Sequence, residues 1–432
     1  MVDYDVLIRN AYVQERDQIV EIGITGDRIQ TVASNIEGSA GLTIDAEGDL
    51  VTPSFTDCHM HNDRSFALCG GRHPVDNEHE PDEVGLRSTY THEKFDNHFA
   101  DLTIEELTEN IVRDLQATVE AGTGYARTHI SLDHVSDPML MEATLNAKEK
   151  LRDVLDLQVA PYVAGSLLEN EEARVLLFKA LDMGRERIGT EDMLLGGIGS
   201  GTAEGKRIDM TIQEWFAVAT EYDLDLDVHI QDHGSLGGYT IEQLIKATKA
   251  HGFEGRVNAS HCYSLADLSG DWTAKVIDSL SEAELTVTTC FSSTPCSWPA
   301  RELLESGIHV GHGTDNTHDY IMPYGVSDSI LGILMESVKL TQFEDYPADI
   351  YWYQSNEGLQ TLWSLITHEG ATVLGIDDNY GIEEGNVADI VILDEPSQEW
   401  AITRQAARRY VIKAGNVVVK NDKLLSEYNV LV

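Results

Sequence analysis

Four histidines and one aspartate stand where short apolar runs of this chain give out: His59 and His61 in "VTPSFTDCHMHNDRS", His229 in "DVHIQD", His261 in "NASHCYS" and Asp315 in "GHGTD". Imidazole and carboxylate are ligand types suited to zinc and iron(II), and either group can serve as general base or acid. Taken singly, a histidine at a strand end is commonly a hydrogen-bonded structural residue, and Asp315 could cap a loop. Taken jointly, the order HxH, His, His, Asp points to metal binding. An ion held there would lower the pKa of bound water from about 16 toward roughly 7, supplying a nucleophile for hydrolysis at neutral pH.

Such residues act together only if the fold brings the ends of those runs to one place. Eight runs can be read: "DLVTPSFTDCHMH", "GYARTHIS", "DLQVAPYVA", "DMLLGGIGS", "LDLDVHIQD", "RVNASHCYS", "LTVTTCF" and "GIHVGHGTD". Between them lie segments such as "TIEELTENIVRDLQATVEAG" and "TIEQLIKATKAHG", with apolar residues at helical spacing and acids on the opposite face. Eight strand and helix units fit a (β/α)8 TIM barrel over residues 51–379, with a doubly wound open sheet as the alternative architecture. In a barrel the C-terminal strand ends form the working rim. His59 and His61 close the first strand on one side of it, since side chains repeat every two residues. His229 closes the fifth strand, His261 the sixth and Asp315 the eighth.

The two ends of the chain read differently. "YDVLIRNAYV", "IVEIGITGDRIQTVA" and "LTIDAEGDLVTP" alternate apolar and polar residues between Gly and Asp turns, as do "GIEEGNVADIVILD" and "YVIKAGNVVVKND" near the end. Residues 1–50 and 380–432 are therefore expected to meet in one composite β-sandwich domain.

Composition narrows the function classes. The 432 residues carry 74 Asp and Glu against 30 Lys and Arg, a formal charge of −44 spread along the chain. That surface repels nucleic acid and anionic lipid, and self-repulsion favours a salt-rich, halophilic interior that screens it. Five cysteines without a framework spacing argue for free thiols in a reducing compartment. No signal peptide and no apolar run long enough to cross a bilayer is visible, so the expected location is the cytoplasm.

The order of ligand-type residues, together with "GIEEGNVADIVIL", resembles the amidohydrolase superfamily over nearly the whole chain, and within it the cytosine deaminase branch. "HMHNDRS" resembles that branch's HxHLD motif, "RTHIS" its RTHVD, "DVHIQD" its HxxE motif and "GTDNTHDYIMPYG" its Asp-containing stretch. The resemblance implies one divalent ion, Zn(II) or Fe(II), on His59, His61, His229 and Asp315. It also implies that Asp315 accepts the proton of the attacking water and that His261 hydrogen-bonds the hydroxide. Relatives with two metals carry a bridging lysine on strand four. Here that strand reads "MLLGGIGSG" and Lys206 lies well beyond it, which favours a single ion.

Two departures bear on specificity. Asp232 stands where the family has a glutamate that protonates the leaving group, one methylene shorter, so His233 or a water is a candidate to complete that transfer. Tyr162 stands near the family's pyrimidine-pairing glutamine, which puts cytosine itself in doubt. Asp63, Asn316, His318 and Asp319 adjoin the proposed ligands and are further substrate candidates. The insertion 70–103, with His73, His79, His92 and His98, follows strand one on the active-site side and reads as an acidic lid.

The expected activity is hydrolytic deamination of a small amino-substituted pyrimidine, triazine or imidazole-like ring. One alternative is a cyclic amidase opening a hydantoin-like ring with the same activated water; another is a barrel that has lost catalysis and serves in binding. The expected partner is a small heterocycle, and barrels of this kind often form homo-oligomers. "TPCSWP", "HEGAT" and "GGIGSG" lack the partners that would make them a deaminase zinc site, a zincin or a phosphate loop.

Overall fold

The structure is a computed structural model and describes residues 3–66, 102–132, 138–163, 167, 170–198, 208–290, 298–318, 329–341 and 355–431, without side chains over 336–341. The four insertion histidines and Asp319 lie outside the described residues.

Alternation near the N-terminus produces β1 (Tyr4–Val13), β2 (Gln18–Thr25), β3 (Arg28–Ala33) and β4 (Ala40–Asp45). They form one sheet in the order β3-β2-β1-β4, in which β1 and β4 are parallel and the other pairs antiparallel. β5 (Val51–Pro53) then leads directly into the first barrel strand.

All eight apolar runs are strands: β6 (Phe55–Met60), β7 (Thr123–Ser131), β8 (Asp156–Tyr162), β9 (Leu194–Ile198), β10 (Asp225–Ile230), β11 (Val257–His261), β12 (Thr286–Thr289) and β13 (Val310–His312). They pair in parallel in chain order, β6 to β8 in one sheet and β9 to β13 in another. The parallel bridges Val159 to Met193 and Met60 to Asp315 join those sheets at both seams, closing a TIM barrel. Strands enclosed on both faces explain why β6, β7 and β11 are buried at every position.

Helices return the chain between strands, and their ends are set locally. The Thr103 hydroxyl accepts from Glu106 N–H while the Glu106 carboxylate accepts from Thr103 N–H, a capping box that starts the helix Ile104–Glu120. That helix lays Leu107, Ile111, Leu115 and Val119 against the barrel.

At the C-terminus, β14 (Ile390–Leu393), β15 (Arg408–Lys413), β16 (Asn416–Lys420) and β17 (Lys423–Leu424) form an antiparallel sheet with β5 at its edge. Thus Val51–Pro53, counted to the barrel from sequence, pairs with β14. Ile8, Ile22, Ile24 and Ile44 from the first sheet share one core with Val51, Ile390, Ile392 and Ile412 from the second. Asp389, inside "GNVADIVIL", ties this layer to the barrel by accepting from Lys413 Nζ at 2.6 Å and from the Tyr125 hydroxyl. Among the described residues, no helix is long and apolar enough to cross a membrane.

Candidate metal centre

The period of a strand turns Asp57, His59 and His61 of the first strand to the barrel axis, while Cys58 between them packs outward under the carbonyl of Gly370. The last strand approaches the first very closely. Asp315 N–H donates to His59 O at 2.8 Å, and His61 N–H donates to Asp315 O at 3.0 Å. Glycine at 313 makes this approach possible, because a Cβ there would lie 2.6 Å from the His59 carbonyl oxygen. Asp57 fastens the same seam. It accepts from Thr314 Oγ1 at 2.8 Å and from the Thr314 and His59 N–H groups, while burial pushes its carboxyl up to about 7.

Strand β10 delivers His229, and β11 delivers Ser260 and His261. Consecutive strand residues normally face opposite ways. Here His261 has φ of 70° and Cys262 of 47°, a left-handed kink that brings the His261 ring to 4.7 Å from that of His59, although Ser260 also contacts His59. Asp315 is likewise left-handed, with φ of 61°.

The result is a buried cluster of nitrogen and oxygen donors. Nε2 of His61 lies 3.2 Å from Nε2 of His229 and 3.5 Å from Asp315 Oδ1, and His59 Nε2 lies 3.8 Å from the same oxygen. Donor atoms of His59, His61 and His229 fall within 4.8 Å of one another, as do those of His59, His261 and Asp315. All five side chains are buried.

This donor set fits a divalent cation. The Nδ1 of His229 sits 3.0 Å from the Gly197 carbonyl, which can only accept, so the proton is on Nδ1 and Nε2 carries a lone pair. His61 Nε2 faces that lone pair, so stability at 3.2 Å requires a proton or a cation there. Buried His59 Nε2 and both ring nitrogens of His261 have no hydrogen-bond partner among the described residues. Burial, and then repulsion among neighbouring imidazoles, holds His59 and His229 well below the usual histidine range; burial and then Arg64 do so for His61, and burial lowers His261. Neutral imidazole is the form that binds metal.

The other sequence candidates are placed as follows. Tyr162, at the end of β8, turns its ring to 5.1 Å from that of His229 and 6.1 Å from that of His61. Asp232 is buried just beyond β10, where helix Gly234–His251 begins. His233 is largely exposed; its Nδ1 pairs with Asp267 at 2.5 Å and its ring stacks on Tyr263. Asp63 accepts from Ser131 N–H at 2.8 Å, tying the loop after β6 to the end of β7. Asn316 is buried, and His318 stacks on Phe66 at 4.8 Å.

Several buried residues at this centre carry no role in the sequence reading. His129, in "RTHIS", lies with its ring 4.1 Å from that of His59 and its Nε2 3.3 Å from Asp227 Oδ1. Arg127 Nη1 donates to Asp227 Oδ2 at 2.8 Å, and Ser260 Oγ donates to Oδ1 at 2.7 Å. Burial would raise the Asp227 carboxyl, but His129, Arg127 and Ser260 outweigh it and hold it below the ordinary carboxylate range. Donors of His59, His129 and Asp227 are close enough to suggest a second ion. Both Asp227 oxygens are already engaged by Arg127 and Ser260, however, which disfavours that use. Asp114, on the helix Ile104–Glu120, accepts from Asn62 Nδ2, from Ser65 Oγ at 2.8 Å and from Thr317 Oγ1 at 3.1 Å, joining the loops after β6 and β13. The signal that could have flagged Arg127, His129 and Asp227 is their alternation with other polar residues in otherwise apolar strands.

Comparison with known proteins agrees with this architecture. A family model described as "Amidohydrolase family" matches residues 86–419. The chain is 37% identical to the N-isopropylammelide isopropyl amidohydrolase of Pseudomonas sp. (strain ADP), covering 98% of this chain and 99% of that one. In fold it is similar to the crystal structure of N-isopropylammelide isopropylaminohydrolase from Burkholderia multivorans, with a TM-score of 0.82, 24% identity and coverage of 97% and 99%. It is also similar to 5-methylcytosine deaminase from Klebsiella pneumoniae liganded with phosphonocytosine, with a TM-score of 0.79, 22% identity and coverage of 97% and 99%.

Proposed function

Because this chain belongs to the amidohydrolase family, in its cytosine deaminase-like branch, we propose that it hydrolyses the bond between a ring carbon and an exocyclic amine on a small nitrogen heterocycle. Such an enzyme is a hydrolase of carbon–nitrogen bonds other than peptide bonds. The substrate class best supported is an amino- or alkylamino-substituted s-triazine of the ammelide type, given the 37% identity to an N-isopropylammelide amidohydrolase across both chains. The observation that carries the reading is the meeting of the His61 and His229 Nε2 atoms beside Asp315 in a buried cluster.

His59, His61, His229 and Asp315 would hold one divalent ion, zinc or iron(II). When bound, such an ion lowers the pKa of a coordinated water toward about 7. The remaining work falls to side chains. Asp315 accepts a proton from the attacking water. His261, buried beside His59 and Asp315, donates a hydrogen bond to the charge developing on the attacked carbon's substituents. Asp232 delivers a proton to the departing amine, so that water oxygen replaces nitrogen on the ring and the amine leaves neutral. His233 is a weaker candidate for that step, because it is exposed and held by Asp267. Tyr162 would form an aromatic wall against the ring, with Asn316 and His318 on the opposite loop. Asp63 acts by holding the loop after β6 to the end of β7 through Ser131.

The shared core of the terminal sheets supports a division into a composite β domain, 1–50 with 380–432 and joined by the strand Val51–Pro53, and a barrel over the rest of 51–379. Cys58, Cys262 and Cys290 are free and buried, which supports a reducing compartment. The charge of −44 supports a salt-rich one.

The test is a product screen in high salt with zinc- and iron-loaded protein, offering N-isopropylammelide, ammelide, cytosine, 5-methylcytosine and hydantoin. Release of amine or ammonia from an intact triazine ring is expected. Ring opening of hydantoin alone would instead identify a cyclic amidase.

A further inference from the structure

Beneath the candidate ligands lies a layer of buried polar groups to which the proposed reaction gives no task. Asp227 stands two residues before His229 on β10 and is fully buried. Its Oδ2 accepts from Arg127 Nη1 at 2.8 Å, and Arg127 is completed by Gln158 Oε1 and the Val373 carbonyl, each at 3.0 Å. Its Oδ1 accepts from Ser260 Oγ at 2.7 Å. The same Ser260 oxygen lies 3.1 Å from His59 Nδ1 and accepts from Asn258 Nδ2 at 3.1 Å.

Proton counting then decides the direction of every bond. A carboxylate facing a guanidinium is ionised and only accepts. A serine hydroxyl has one proton, and here it points to Asp227. Toward His59, therefore, Ser260 can only accept. His59 must carry its proton on Nδ1, which leaves the Nε2 lone pair facing the oxygen of Asp315.

We infer that Ser260 and Asp227 are positioning residues that fix His59 in the Nδ1–H tautomer, with Arg127 securing the orientation of Asp227. This rests on the reading of His59, His61, His229 and Asp315 as a metal centre. It makes His59 and His229 equivalent: each has its proton drawn away from the centre, His229 by the Gly197 carbonyl directly and His59 by a hydroxyl relayed to a carboxylate. Partners of this kind behind a ligating histidine typically contribute about 10- to 100-fold to metal affinity.

Two measurements test it. In metal-free wild-type protein labelled with nitrogen-15 at histidine, the His59 ring, assigned by its loss in His59→Asn, should be protonated at Nδ1. Protonation at Nε2 overturns the inference, and this measurement stands even if a variant fails to fold. In Ser260→Ala the Nε2–H form should appear, cobalt(II) affinity by chelator competition should fall about 10- to 100-fold, and the cobalt absorption spectrum should change. Unaltered affinity, or a loss of affinity with the Nδ1–H form retained, overturns the relay. Wild-type protein that takes up no cobalt overturns the metal reading itself, an outcome distinct from either.

Discussion

Asp315 donates its backbone N–H to the carbonyl of His59, so the contact that closes the barrel between its eighth and first strands is also the contact that assembles the candidate metal centre. The same backbone contacts hold the seam closed and keep His59, His61 and Asp315 side by side. Substitutions there should therefore be judged by metal content and stability together.

Asp315→Asn keeps the shape of the side chain but removes the charge of the proposed ligand and proton acceptor. Turnover should fall by about 10²- to 10⁴-fold, the range for losing a general base, while thermal unfolding of the metal-free protein changes little. Metal per chain, measured by plasma emission after dialysis, should drop below that of wild type. Retained metal and turnover would remove Asp315 from both roles.

Asp232→Asn should separate leaving-group protonation from water attack. On an alkylamino-triazine, kcat should fall by about 10²- to 10⁴-fold. A chloro-triazine, whose halide leaves without a proton, should be turned over at near wild-type rate if it is accepted as a substrate. Equal losses on both would assign Asp232 to structure.

Asp114→Ala leaves the donors on Asn62 and Thr317 without that acceptor, while Ser65 Oγ keeps the Thr317 carbonyl at 3.2 Å. Each orphaned buried donor costs about 1–3 kcal/mol, so a destabilisation of roughly 2 kcal/mol or more is expected in urea unfolding. A shift in midpoint equivalent to less than about 1 kcal/mol would mean that water replaces the carboxylate without loss.

His312 provides a pH test away from the ligands. It is fully buried, its Nδ1 donates to Thr289 O at 2.8 Å, and burial pushes its pKa down to about 4. Above the ordinary histidine pKa both folded and unfolded chains are neutral there, and stability is unaffected. As pH falls below about 6.5 the unfolded chain gains a proton that the folded one refuses, so stability is lost until about pH 4, by roughly 1.4 kcal/mol per unit. His312→Asn, which keeps a donor to Thr289, should reduce the slope of that acid limb in metal-free protein by up to roughly 1.4 kcal/mol per unit, the rest coming from the other buried histidines. An unchanged slope between pH 7 and pH 4.5 would rule out this origin.

Salt is the remaining lever. With a charge of −44 the folded chain repels itself, and potassium chloride should screen that repulsion. The melting temperature should climb from low salt to molar potassium chloride. A flat or falling curve would remove salt adaptation from the description.

Much of the architecture was legible because strands and helices write their periods into the chain. All eight runs from "DLVTPSFTDCHMH" to "GIHVGHGTD" are strands, and the polar residues at their ends stand at one rim. That rim follows from chain order and parallel pairing alone. The sequence could also show that Asp63 adjoins His61, but not that its carboxylate accepts from the Ser131 N–H at the end of β7.

What the sequence by itself determined is therefore the set of strand ends and the kinds of donor they carry, since side-chain alternation and burial pattern are local properties. What only the tertiary structure decided is which donor meets which partner. His261 joins Ser260 beside His59 through a left-handed kink, the register of β10 against β11 sets Asp227 within reach of Ser260, and Asp227 on β10 finds Arg127 on β7. Such meetings depend on strand register, backbone sign and ångström-scale approach, and none of these is encoded at any single position in the chain.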